Sequence, residues 1–152
     1  MKTIVALVDF SDLTFKVLKQ AHTLAKAFDR EVIILHTIPN DATLVDTEMI
    51  DPFTTQDPSP KVVRKHYSQL LEMRDSIIKW GVRATVRQLN GADVMDALAE
   101  ARKLKADIII LGSHHHSAFY NMLVGSVTSE VLKRAPCPVL VVPSDNDAHE
   151  KK

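Results

Sequence analysis

Four stretches of the chain are short, almost wholly apolar and rich in Val and Ile: Ile4 to Val8, Val32 to Leu35, Ile108 to Leu111 and Val139 to Val142. Runs of this length without a polar face predict strands covered on both sides, as in a parallel sheet. A fifth run, Val82 to Leu89, opens with alternating apolar and polar residues, Val82-Arg83-Ala84-Thr85-Val86-Arg87. That alternation predicts a strand at a sheet edge with one wet face.

Helical spacing fills the intervals. Val17, Leu18, Ala21, Leu24, Ala25 and Phe28 fall on one helical face, with Ser11 or Asp12 available as a cap. Pro60 to Trp80 starts with proline in a first turn and ends before Gly81, where a left-handed terminator is expected. Ala92 to Leu104 turns Val94, Leu98 and Ala101 inward, and a last helix from about Gly125 to Arg134 stops before Pro136. Strands and helices therefore alternate. The expected architecture is a single doubly wound α/β domain: a five-stranded parallel sheet with Val82–Leu89 at an edge and helices on both faces. The domain is expected to span residues 1–144, leaving 145–152 as a polar, flexible tail.

The segment Pro39 to Ser59 follows neither period, and its prolines (Pro39, Pro52, Pro58) and acidic residues (Asp41, Asp46, Glu48, Asp51, Asp57) predict a long loop. At 152 residues, with 45% hydrophobic and 25% charged positions, the chain suits one folded domain and not a disordered one. Nineteen basic residues balance nineteen acidic ones without a dense Lys/Arg run, which argues against nucleic acid as the main partner. The first apolar run stops at Asp9, too short for an export signal or a membrane anchor. Cys137 is the only cysteine, so it forms no internal disulfide and offers no zinc spacing. Its place between Pro136 and Pro138 before an apolar strand reads as packing, and a reducing, cytoplasmic setting is compatible with it. Trp80, Phe28 and Tyr120 are too scattered for a base-stacking platform and read as packing residues.

Candidate chemistry gathers at strand ends. Gly112 closes the run Ile108-Ile109-Ile110-Leu111, and Gly125-Ser126-Val127-Thr128 opens the last helix. A loop from a strand's carboxyl end to a helix amino end presents free N–H groups and the positive end of the helix dipole, which is an anion site. The competing reading is a plain connection with a Ser or Thr cap. Asp9 follows the first strand, at the sheet edge where open α/β folds bind ligands; its competing role is to cap the first helix. His36, at a strand end, reads as a hydrogen-bonded structural histidine. Consecutive side chains of His114-His115-His116 diverge, so no metal site is read there. Walker-type, dinucleotide, zincin and nucleophile-elbow motifs are absent.

Ala6-Leu7-Val8-Asp9-Phe10-Ser11, Leu35-His36-Thr37-Ile38-Pro39, and Gly112-Ser113-His114 through Gly125-Ser126-Val127-Thr128 to Ala135-Pro136-Cys137-Pro138 and Val139–Pro143 resemble the universal stress protein family. The resemblance covers nearly the whole chain except Pro39–Ser59. It implies the strand order 3-2-1-4-5, with Ile4–Val8 central, and a homodimer through the Val139–Val142 edge. It also implies an adenine nucleotide, ATP or AMP, with Mg as an optional companion, held by a regulatory stress-response module with at most weak ATP hydrolysis. By the same resemblance Asp9 meets the ribose or adenine, Thr37 offers backbone groups to adenine, and Gly112, Gly125, Ser126 and Val127 hold phosphates. Nucleotide-binding members carry G-x2-G-x9-G-[ST], and this chain keeps that register with one departure, His115 at the second glycine. A histidine fills space a glycine leaves to phosphate, though its ring can donate to one. The alternative is therefore a ligand-free homodimer of the same type acting through protein partners.

Overall fold

The computed structural model describes residues 2–10, 12–38, 59–112 and 132–143. Its elements are β1 (Thr3–Leu7), α1 (Thr14–Phe28), β2 (Glu31–Ile38), α2 (Pro60–Lys79), β3 (Ala84–Asn90), α3 (Val94–Lys103), β4 (Ala106–Gly112) and β5 (Val139–Val142). All strand pairs are parallel, in the order β3-β2-β1-β4-β5. β3 is an edge, as its alternating pattern predicts, and β1 is central, as the strand order implied by the family resemblance requires.

Both faces of the sheet are covered. On one, Ile4, Ala6, Val32, Ile34 and Ile110 pack against Val17, Leu18 and Ala21 of α1 and Leu70 and Ile77 of α2. On the other, Val5, Leu7, Ile33, Leu35, Ile109 and Leu111 pack against Val94, Ala97, Leu98 and Ala101 of α3. Residues one apart on β1, β2 and β4 thus serve opposite layers, which is why Ile4–Val8, Val32–Leu35 and Ile108–Leu111 carry no polar residue, whereas β5, expected to be covered on both sides, leaves Leu140 and Val141 exposed.

The helix ends follow local chemistry. Ser59 caps α2 by accepting from the Val62 N–H at 3.2 Å, Pro60 stands in its first turn, and Gly81 beyond it takes φ +92°, the left-handed conformation a glycine tolerates. α3 begins with a capping box: Asp93 Oδ1 accepts from Met95 N and Asp96 N, and Asp96 Oδ2 accepts from Asp93 N. Residues 132–134 are helical and stop before Pro136, while Gly125 lies outside the described residues.

Three expectations need correction. The N-cap of α1 is Leu13, which makes no side-chain cap bond, so Asp12 does not cap that helix; Ser11 lies outside the described residues. Phe28 is 56% exposed although Ala25, in the same last turn of α1, is buried in the core, so Phe28 lies off the packing face and is not a packing residue. β2 runs on to Ile38, since its ladder with β3 continues through His36–Gln88, Thr37–Leu89 and Ile38–Asn90. Tyr120, the His114–His116 run and nearly all of Pro39–Ser59 fall outside the described residues. Among the described residues, no helix is long and apolar enough to cross a membrane.

Candidate functional site

At the carboxyl edge β1 stops short between two longer neighbours, at the point where the strand order reverses and open α/β sheets leave a crevice for ligands. The last β1–β2 pair is Leu7 with Leu35, and the Val8 N–H donates to the Leu35 carbonyl at 3.0 Å. In a parallel strand the main-chain polar groups of alternate residues face the same neighbour. Leu35 faces β1, so Thr37 does too, two residues past the last pair. On the other side Ile109 N donates to the Pro138 carbonyl at 3.0 Å, toward β5, so Gly112, of opposite parity, faces β1. Thr37 and Gly112 therefore turn main-chain groups toward the column of β1 from its two flanks. Continuing the register places Asp9 level with Thr37 and Val8 level with Gly112.

Asp9 is half-buried, and its Oδ1 accepts from the Thr14 hydroxyl at 3.5 Å, tying the strand end to the first residue of α1. This differs from the cap considered above, since the donor is a side chain and not a helix N–H. Phe10, next in the chain, has φ 61°, a left-handed conformation unusual for a bulky residue and frequent at sites built for function. Its ring lies 4.5 Å from that of His36 and 4.9 Å from that of His66. His36 is buried, its Nδ1 donates to the Val8 carbonyl at 2.8 Å, and its Nε2 stands 3.2 Å from His66 Nδ1. Burial lowers the His36 pKa to about 4; the Val8 carbonyl works against this, His66 adds to it and the Asp9 carboxylate opposes it. His36 is thus the hydrogen-bonded histidine its strand-end position predicts, and it is neutral at pH 7.

Gly112 carries a second constraint. A Cβ built there would stand 3.1 Å from both Cβ and Cδ1 of Leu13, so the close approach of α1 to β4 alone requires a small residue. Of the expected site residues, the fold brings Asp9, Thr37 and Gly112 to one edge; His115, Gly125, Ser126 and Val127 lie outside the described residues. Among the described residues no group of three or more His, Cys, Asp or Glu side chains converges as a metal site. Burial raises the Cys137 thiol pKa, and its side chain packs against the α3 layer. Phe10 and His66 were not singled out from the sequence. For His66 a signal existed: with Leu70, Met73 and Ile77 it occupies one face of α2, the face that packs on the sheet.

The sequence profile described as the universal stress protein family matches residues 1–143. A universal stress protein of Methanocaldococcus jannaschii is 29% identical over 148 residues, covering 93% of this chain and 81% of its own. The universal stress protein YxiE of Bacillus subtilis is 30% identical over 140 residues, covering 89% of this chain and 94% of its own. The crystal structure of a universal stress protein in complex with cAMP, 27% identical, superposes with a TM-score of 0.62 over 93% of this chain and 95% of that one. On sequence and fold alike, this chain belongs to the universal stress protein family.

Proposed function

We propose that this protein binds an adenine nucleotide in the crevice beyond β1 and acts as a regulatory module, not as a fast enzyme. The observation that carries the reading is the level register of Asp9 and Thr37 on adjacent strands at an edge that β1 leaves open. A carboxylate accepts from ribose hydroxyls, and the adjacent N–H and C=O of a strand offer adenine one donor and one acceptor. The cAMP complex of a relative with the same fold supports it. Gly112 at the end of β4, with Gly125, Ser126 and Val127 where the sequence predicts the start of the last helix, would hold phosphate through main-chain amides. His115 would crowd terminal phosphates, which favours AMP over ATP; Mg would enter only with a triphosphate. Phosphate drawing those amides together would shift the adjoining helix and the β5 edge as a change of population.

Calorimetry with ATP, ADP and AMP tests this. Asp9→Ala and Ser126→Ala should each weaken binding by about 0.5–1.5 kcal/mol, more where the lost partner is charged. His115→Gly should strengthen ATP relative to AMP. No binding of any nucleotide, and no gain in His115→Gly, would leave the ligand-free homodimer as the surviving reading.

A further inference from the structure

A polar layer stands directly behind the crevice and its protons can be placed. The Val8 carbonyl can only accept, so His36 Nδ1 carries the hydrogen of their 2.8 Å contact. His36 is 7% exposed, burial keeps its ring neutral, and Nε2 is therefore a bare acceptor. The 3.2 Å contact then requires His66 Nδ1 to be the donor. This tautomer is imposed by the fold, since each ring nitrogen has its role fixed by what it faces.

The same layer fastens α2 a second time. Gln88, paired with His36 in the β2–β3 register, donates from Nε2 to the Val63 carbonyl of α2 at 3.0 Å. The Phe10 ring closes over both imidazoles. On the β1 side, the His36 imidazole takes the carbonyl that the next rung of the ladder, from Thr37 N–H, would use. The last β1–β2 pair is Leu7 with Leu35, so the ladder stops at this carbonyl, just short of Asp9 and Thr37 at the edge. Val8 immediately precedes Asp9, and His36 immediately precedes Thr37.

We infer that His66 and His36 form a positioning relay from α2 to the carbonyl of Val8, which sets Asp9 and the Thr37 main chain for a ligand in the crevice. The inference rests on the nucleotide reading for the identity of that ligand, but not for the existence of the relay. The groups facing His36 are His66 from α2, Asp9 from the end of β1 and the neutral Gln88 from β3. One added proton on His66 leaves its Nδ1 a donor and the relay intact. A second, on His36, would set two N–H groups against each other and break it.

The test uses the full chain at neutral pH. Nitrogen-15 NMR should show His36 protonated at Nδ1 and bare at Nε2, and His66 protonated at Nδ1. His36→Asn keeps an N–H where Nδ1 stands, whereas His36→Leu has none. The leucine variant should move the Asp9 and Thr37 amide resonances and weaken AMP by about fivefold to tenfold, the worth of one hydrogen bond; the asparagine variant should restore both. Where His36→Leu fails to fold, His66→Leu, which keeps the inner ring, should move the same resonances. A proton on His36 Nε2 in the wild type, or amide shifts equal in the Asn and Leu variants, would overturn the relay. If the wild type binds no nucleotide, the proposed function fails while the tautomers and the amide shifts still decide the relay.

Discussion

Leu13 occupies the space in which a side chain at residue 112 would stand: a Cβ on Gly112 would meet Leu13 Cβ and Cδ1 at 3.1 Å and Val17 Cγ2 at 3.6 Å. Cδ1 can swing aside, but Cβ moves only with the backbone of the buried α1 N-cap. Gly112→Ala is therefore expected to destabilise the fold by about 1–3 kcal/mol, the usual cost of overpacking. In a Leu13→Ala background the added cost should be smaller, because the Cδ1 contact is gone. Equal denaturation midpoints for wild type and Gly112→Ala would show that the approach is not tight.

What the sequence revealed, and what it hid, divides by range of interaction. The strands of the sheet were legible because burial on two faces removes polar residues from Ile4–Val8, Val32–Leu35 and Ile108–Leu111. Asp9 and Gly112 were legible as strand-end residues for the same reason. The extension of β2 was not: His36 and Thr37 look like polar breaks, and only the ladder to β3 carries them into the strand. His66 acquires its meaning from His36, thirty positions away, through a contact no local pattern records. Leu13 supplanted Asp12 at the N-cap because its side chain is anchored against β4, which outweighs the local preference for a polar cap.

Acid should unfold this protein partly through His36. Its pKa is near 6.5 when exposed and about 4 in the fold, so between those values the unfolded chain binds the extra proton and the native one does not. Stability therefore rises with pH through that window and falls as pH drops from about 6.5 toward 4. A shift of that size corresponds to a contribution of about 3 kcal/mol, fully present above pH 6.5. Urea titrations across the window should show the slope flatten in His36→Asn, which keeps the Val8 bond and cannot titrate. An unchanged slope would assign the acid sensitivity to other groups.

The start of α3 offers a test of local stability far from the crevice. Asp93 Oδ1 accepts from Met95 N at 3.0 Å and Asp96 N at 3.1 Å, while Asp96 Oδ2 returns the bond to Asp93 N at 2.9 Å. Asp93→Ala should cost about 1 kcal/mol by leaving first-turn N–H groups to water. Asp93→Asn should cost less, retaining the acceptor and losing only the charge that favours a helix N-terminus. Nucleotide affinity should be unchanged in both, since α3 stands on the opposite layer from His36 and His66.

The assembly prediction concerns β5. Among the described residues this strand pairs only with β4, yet Leu140 is 38% and Val141 41% exposed, an apolar edge that invites pairing with another chain. The Ile109–Pro138 hydrogen bond fixes the parity: residues 138, 140 and 142 face β4, so the main-chain groups of Val139 and Val141 face outward. We expect a homodimer in which this edge meets its copy across a two-fold axis. Val141→Pro removes an outward N–H without touching the β4 ladder, and Val141→Lys places a charge on the edge. Sedimentation at micromolar concentration should show a dimer for the wild type and a shift toward monomer for both variants, with monomer secondary structure retained. A wild type that sediments as a monomer would leave the exposed β5 edge without its expected partner and would refute the homodimer.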